Sequence, residues 1–327
     1  MNRTIRVLGL FSGGLDSMLA ATVLREQGLE VAGVTFITPF YGADRARESA
    51  AHLNLPLHEV DFTEKFLPLI YAPPHGFGRH HNPCLDCHIL MLREAGAMME
   101  KLGFDFLFTG EVLGQRPMSQ HKGALVLVAR ESGYRELIVR PLSARLLPPT
   151  KPELLGWVDR ERLLDLNGRG RKRQMALAAQ FGITQYPAPA GGCLLTDPGY
   201  SVRLKELLHH TEAASRQELE LLKWGRHFRL PSRAKAIVGR THKENEAMAA
   251  LTAPGDLVFK VKTFPGPTVL VPGGGGESDA ETAAALAAAY SDAPEGGPVT
   301  VMAQHNGELR AIHLTAPPKE RFKAWLI

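Results

Sequence analysis

The sequence predicts an α/β protein, a doubly wound parallel sheet followed by a smaller α+β domain, and three observations carry that prediction. Apolar strand-like runs alternate with helical stretches over the first part of the chain, the first run enters a glycine loop and then a helix, and the pattern changes past about residue 195. Strands are expected at 5–11, 30–36, 57–62, 104–109 and 136–140, with helices at 18–27, 42–53 and 87–102 among them. Such alternation reads as a parallel sheet covered on both faces, whose ligands bind at the carboxyl ends of the strands, where strand order reverses. The second part reads as a polar helical stretch at 202–223, strands at 235–238, 257–263 and 268–271, and an alanine-rich helix at 280–290. Strands at 299–304 and 309–314 form a hairpin around Asn306-Gly307, a dipeptide suited to tight reverse turns. The run Gly273 to Gly276 is expected to be a flexible turn, with no helix close enough to make it a second phosphate loop. The domains are therefore placed at 1–196 and 197–327.

A chain of 327 residues exceeds one compact core, which agrees with two domains. No apolar stretch approaches the roughly 20 residues of a membrane span, and the start lacks a signal-peptide pattern. The expectation is a cytoplasmic protein with no membrane partner. A net charge of +4 and a pI near 9.0 are compatible with a polyanionic partner. Cations concentrate at Arg169, Arg171, Lys172 and Arg173, and again at Lys223, Arg226, Arg229, Arg233, Lys235, Arg240 and Lys243.

The first strand runs into Ser12-Gly13-Gly14-Leu15-Asp16-Ser17. Glycines there allow close approach of backbone to ligand, and the helix that follows points free N–H groups and its positive dipole end at an anion. Ser12 and Ser17 add hydroxyl donors. The loop lacks the glycine spacing and the Gly-Lys-Ser/Thr ending of the common nucleotide-triphosphatase loop. Thr35 and Phe36, ending the second strand, are candidates to face an adenine, or else belong to the sheet core.

Three cysteines occur, Cys84, Cys87 and Cys193, the first two as Cys-x-x-Cys within Asn82-Pro83-Cys84-Leu85-Asp86-Cys87-His88. In a reducing compartment this spacing points to metal or redox work rather than a disulfide scaffold. Cys193 follows Pro189-Ala190-Gly191-Gly192, where two glycines let the backbone curve near a bound group. Three readings stay open: an iron–sulfur cluster on three thiolates with one open iron, a structural zinc completed by His75, His80, His81 or His88, or a persulfide carrier pair of Cys87 and Cys193.

The loop at 12–17 resembles that of the ATP pyrophosphatases, and two further segments sharpen the resemblance. Thr109-Gly110-Glu111-Val112-Leu113-Gly114-Gln115 followed by Ser119-Gln120 is similar to the signature of the tRNA 4-thiouridine synthases, and Arg140-Pro141-Leu142 looks like the Arg-Pro-Leu that follows it there. The resemblance covers roughly residues 4 to 196. The family carries an RNA-binding module before the ATP loop, whereas this sequence begins at the first strand. Asn82-Pro83 followed by Cys87 also resembles the tRNA 2-thiouridine synthases, and the pair-plus-distant-third cysteine pattern resembles the iron–sulfur-dependent tRNA thiolases. The segment Lys260-Val261-Lys262-Thr263-Phe264-Pro265-Gly266 faintly resembles an RNA-binding domain of ribosome-associated quality-control proteins.

The resemblance implies an adenine nucleotide alpha hydrolase-like PP-loop domain that adenylates a tRNA uridine with ATP, releasing pyrophosphate, and then replaces the carbonyl oxygen by sulfur. It implies 4-thiouridine as product, with 2-thiouridine as the alternative. An amide-forming ATP pyrophosphatase and a non-catalytic RNA-binding protein are the readings of other classes. The implied ATP and Mg²⁺ site comprises Ser12, Gly13, Gly14, Asp16, Ser17, Thr35, Phe36 and Gly110. Asp16, Cys87 and Cys193 are the implied catalytic residues, and Cys84, Cys87 and Cys193 the implied ligands of a [4Fe-4S] cluster. Arg140, Arg145 or Lys151 is expected to neutralise the leaving phosphate. The expected partners are tRNA, held by the 169–173 run and the second domain, and a sulfur donor, either sulfide or a cysteine desulfurase-derived persulfide. A homodimer is compatible with the sequence.

Overall fold

The computed structural model describes residues 3–188 and 192–327, and the chain divides into two compact units, Met1–Thr196 and Asp197–Ile327. Unit 1 runs β1 (Arg6–Leu10), α1 (Leu15–Arg25), β2 (Glu30–Ile37), α2 (Asp44–Leu53), β3 (Leu57–Asp61), α3 (Thr63–Tyr71), α4 (Cys84–Leu102), β4 (Phe106–Thr109), α5 (Lys122–Ser132), β5 (Ile138–Val139), α6 (Lys151–Leu154) and α7 (Lys172–Gln180). Its five strands are parallel, in the order β3-β2-β1-β4-β5. The chain therefore reverses its winding between β1 and β4, and the 12–17 loop leaves the sheet at that point.

The central strands are apolar throughout because both faces are covered. Phe106, Phe108, Val7 and Val139 join Leu15, Met18 and Leu19 of α1 in one core. Gly9 is required in β1 because a Cβ there would fall 2.0 Å from the ring of the fully buried Phe108. Two boundaries differ from expectation. Residues 135–137 form a 3-10 turn that reduces β5 to two residues, and α1 begins at Leu15, so Asp16 and Ser17 lie in its first turn rather than before it.

Unit 2 runs α8 (Pro198–His210), α9 (Arg216–Leu221), β6 (Arg226–Arg229), β7 (Lys235–Val238), α10 (His242–Ala250), β8 (Leu257–Val261), β9 (Thr268–Val271), α11 (Glu277–Ala289), β10 (Pro298–His305) and β11 (Glu308–Thr315). Its antiparallel sheet has the order β11-β10-β8-β9-β7-β6, and alanine-rich α11 packs against it through Ala283, Ala284 and Ala287. Asn306 and Gly307, both at positive φ, turn the β10–β11 hairpin. The helical stretch expected at 202–223 is two helices, since Ser215 opens a capping box with Glu218 and starts α9 anew. Neither strand β6 nor helix α10 is foreseen from the sequence; β6 is only four residues, Arg226-His227-Phe228-Arg229, too short and too polar to read as a strand. The Gly273–Gly276 run also departs from expectation. Helix α11 starts directly after it, and the amides of Gly273 and Gly276 are bonded to Asp256 and Asp279 at 2.7 and 3.0 Å, so the turn is fixed and its donors are used.

Gly9→Ala should lower the stability of unit 1 by about 1–3 kcal/mol through overpacking, read as an earlier urea midpoint for Trp157 fluorescence with unit 2 unaffected.

Candidate active site

The loop between β1 and α1 is shaped by contacts that only glycine permits. Gly13 has φ of 71°, and a Cβ on it would meet the Arg45 carbonyl oxygen at 2.2 Å. Ser49 donates to the Gly13 carbonyl at 2.8 Å, which fixes the loop against α2. Gly110, just after β4, packs on the other side, where a Cβ would lie 2.6 Å from the Ser17 amide nitrogen. Ser17 donates to the Gly14 carbonyl at 2.8 Å, and the Ser12 hydroxyl accepts from the Gly14 amide at 3.4 Å. Ser12, Gly13, Gly14, Ser17 and Gly110 thus form one cradle at the start of α1.

Asp16 shows what that cradle lacks. Its Oδ2 accepts from the Gln115 side-chain amide at 2.9 Å, while its Oδ1 is buried and has no hydrogen-bond partner. A buried carboxylate oxygen left unpaired is costly, and a cation or a phosphate-bound metal would satisfy it. Gln115 was within the quoted signature but not among the candidate residues; its value appears only when the fold brings it to Asp16. Thr35 and Phe36 are both buried, with Phe36 packed on Phe62 at 4.6 Å between ring centroids.

Beneath the cradle, Glu111 forms a buried network. Arg140 Nε donates to its Oε2 at 2.9 Å, Thr109 donates to the same oxygen at 3.0 Å, and His88 Nδ1 donates to Oε1 at 3.3 Å. Burial alone would raise the Glu111 pKa, but the Arg140 charge and His88 outweigh it and hold it down at about 2. Arg140 also donates to the Leu125 carbonyl at 3.2 Å and is nearly fully buried. This corrects the expectation that Arg140 meets a leaving phosphate: its charge is already committed. Arg145 and Lys151 are exposed.

The cysteines come together from two segments. Cys84 and Cys87 occupy the first turn of α4, and the Leu194 amide, next to Cys193, donates to the Phe40 carbonyl at 2.9 Å. Each thiol acts electrostatically on another: Cys84 on Cys193, and both on Cys87. Desolvation pushes Cys87 far up and Cys193 up to about 12, so both are neutral thiols near pH 7. Tyr41 shares a hydrogen bond with Cys87 Sγ at 3.5 Å. Arg116 lies near enough to oppose the rise at Cys84 and Cys193.

Among the described residues, no group of three His, Cys, Asp or Glu side chains is arranged to hold a metal ion. Three of the four histidines offered to a zinc have one ring nitrogen engaged: His75 with Asp86 at 2.7 Å, His81 with the Ile70 carbonyl at 2.8 Å, and His88 with Glu111 at 3.3 Å. Gly191 lies outside the described residues, while Gly192 sits beside the Arg45 guanidinium. The Arg45 carbonyl thus abuts the phosphate loop at Gly13, and its guanidinium lies near Gly192 in the Cys193 segment. Gln115 and Arg116 make the same connection from the other side.

The cationic clusters fare differently. Arg169, Lys172 and Arg173 are exposed at the start of α7, with Arg173 bridged to Asp165. In the second cluster Arg229 and Lys235 both pair with Glu206, Lys223 with Glu220 and Arg240 with Glu244. Four of the seven cations of that stretch are therefore paired with carboxylates within unit 2.

Residues 3–145 match the family model described as thiamine biosynthesis protein (ThiI), and residues 225–326 match that of the NFACT protein RNA binding domain. This chain joins a ThiI-type PP-loop domain to an NFACT-R_2 domain. It is 37% identical over 139 residues to a tRNA-specific 2-thiouridylase MnmA of Syntrophotalea carbinolica, covering 37% of this chain and 38% of that protein. A tRNA-specific 2-thiouridylase MnmA of Dichelobacter nodosus is 24% identical over 60% of this chain and 54% of its own. The chain thus spans between about 38% and 54% of the length of these curated relatives. Among solved structures, a 4-thiouridine synthetase–RNA complex with bound ATP is similar at 21% identity and a TM-score of 0.37, over 67% of this chain and 52% of that one.

Within the PP-loop domain, Glu111 joins β4, β5 and α4 to one another, and that gives two expected outcomes. Arg140→Met leaves the Glu111 charge buried and unpaired, and should cost unit 1 about 3–5 kcal/mol in urea unfolding. The Glu111 pKa lies below its ordinary 4.5, so its contribution is present above that pH and lost as pH falls toward about 2. Glu111→Gln should accordingly remove part of the acid-induced loss of stability across that window.

Proposed function

We propose that this chain is an ATP-dependent tRNA sulfurtransferase that adenylates a uridine and replaces its carbonyl oxygen by sulfur. The observation that carries the reading is the junction of phosphate cradle and thiols. Asp16, with one unpaired oxygen, and the three cysteines are tied to each other through Arg45 and through Gln115–Arg116. The uridine carbonyl oxygen attacks the α-phosphorus of ATP, and pyrophosphate leaves. Donors at Gly13, Gly14 and Ser17 stabilise the charge that builds on the phosphoryl oxygens. Asp16 would hold Mg²⁺ through Oδ1, with Gln115 keeping the carboxylate turned toward it. Sulfur supplied at the cysteines then attacks the activated carbon, and AMP departs.

The signature at 109–120 favours 4-thiouridine as product, while the curated relatives named above support 2-thiouridine as the second reading. For the sulfur site we favour Cys84, Cys87 and Cys193 as holders of a [4Fe-4S] cluster, whose open iron would bind the sulfide. What supports this reading is that Cys84, Cys87 and Cys193, each half-buried, lie within mutual electrostatic reach. Recognition of tRNA falls to the 169–173 run and the NFACT-R_2 domain, with a cytoplasmic setting.

Asp16→Ala should abolish ATP–pyrophosphate exchange and formation of thiolated nucleosides in bulk tRNA, measured by liquid chromatography and mass spectrometry, while leaving tRNA binding intact. Retained thiolation in that variant would remove Asp16 from the reaction. Protein purified without oxygen should carry about four irons per chain, lost on changing any of the three cysteines; an active, iron-free protein would overturn the cluster.

A further inference from the structure

The segment between α3 and α4 leads into the two α4 cysteines and is held in place by several side-chain and backbone bonds. The Asp86 carboxylate, only 4% exposed and seated between the two α4 cysteines, accepts from both the backbone amide and Nδ1 of His75, at 3.0 and 2.7 Å. Gly78 donates to the Asn82 carbonyl at 2.8 Å, and His81 Nε2 donates to the Ile70 carbonyl at 2.8 Å. Asn82 is buried and bonds the Cys84 thiol. Between these anchors, His80 and His81 both take positive φ, 61° and 70°, a conformation that costs non-glycine residues free energy and collects at functional sites.

What this backbone displays is a ring pair. Phe77 stacks on His81 with centroids 3.9 Å apart and planes within 19°, yet Phe77 remains 40% exposed. Met118, 59% exposed, lies across from Gly78, and its neighbour Arg116 is the cation that reaches Cys84 and Cys193. A partly exposed aromatic ring, an exposed thioether and a guanidinium, on or facing the segment that leads into Cys84, are complementary to a flat π-system attached to a phosphate.

We infer that the Phe77–His81 stack is the platform on which the nucleobase to be thiolated lies, with Arg116 holding the adjoining phosphate. The inference rests on the proposed thiolation of tRNA and names the surface that would present its base to the sulfur. The base must leave the helical stack to reach the sulfur, and stacking on Phe77 compensates for the neighbours it loses. The pair is sequence-tolerant by itself, so it presents a base rather than selecting one.

The test uses the full chain and 5-bromouridine-substituted tRNA. Irradiation of the wild-type complex should crosslink a peptide within residues 71–83, mapped by mass spectrometry. Phe77→Ala should raise the KM for tRNA by about 5- to 150-fold, the range for losing one base–aromatic stack. Phe77→Trp should restore it, and ATP binding without tRNA should be unchanged in both, which separates loss of the platform from misfolding. Wild-type KM in Phe77→Ala, or crosslinks confined to other peptides while the wild type thiolates tRNA, would overturn the platform and leave the thiolation reading standing. A wild-type chain that neither binds nor thiolates tRNA would overturn both.

Discussion

The geometry of unit 1 turns on one buried carboxylate. Glu111 accepts from Arg140 after β5, from Thr109 at the end of β4 and from His88 on α4, so three elements meet at it. An ion pair this deep gains little over an apolar substitute, because desolvation consumes most of the Coulomb energy. Its effect is positional. With Glu111 fixed, the adjacent Gly110 is pressed against Asp16 and Ser17, and α4 is set at the angle that brings Cys84 and Cys87 to the segment bearing Cys193.

The two halves of the site are built on opposite electrostatic terms. The phosphate cradle sits at the start of α1, the positive end of the helix dipole, with a carboxylate oxygen of Asp16 left unpaired. The thiol half is desolvated and neutral, with Arg116 as the cation that acts on it. The proposed reaction would build negative charge on the phosphoryl oxygens and then deliver sulfur to carbon, and so would draw on both environments, with Arg45 and Gln115–Arg116 lying between them.

Positive charge is distributed by the same logic. In unit 2, Glu206 takes Arg229 and Lys235, and Glu244 takes Arg240, so much of the basic sequence there serves its own fold. The exposed cations Arg169, Lys172 and Arg173 stand at or just before the start of α7, where the helix dipole opposes them. A polyanion would relieve that repulsion, whereas nothing in the packing of α7 requires it.

The parallel sheet, the loop at 12–17, the hairpin around Asn306-Gly307 and the special status of the three cysteines were legible in the sequence, because each is written in local pattern: apolar runs, glycine placement and spacing along one segment. Other features needed the fold. Arg140 reads as a surface cation until burial pairs it with Glu111; Gln115 is one amide among many until Asp16 meets it. The seven cations between residues 223 and 243 look like a patch until Glu206, Glu220 and Glu244 are brought to four of them. The sequence by itself determined the periodicity of the backbone and the inventory of reactive groups. The tertiary structure alone decided which charges are cancelled and which left unpaired, because desolvation and pairing depend on distances between residues far apart in the chain.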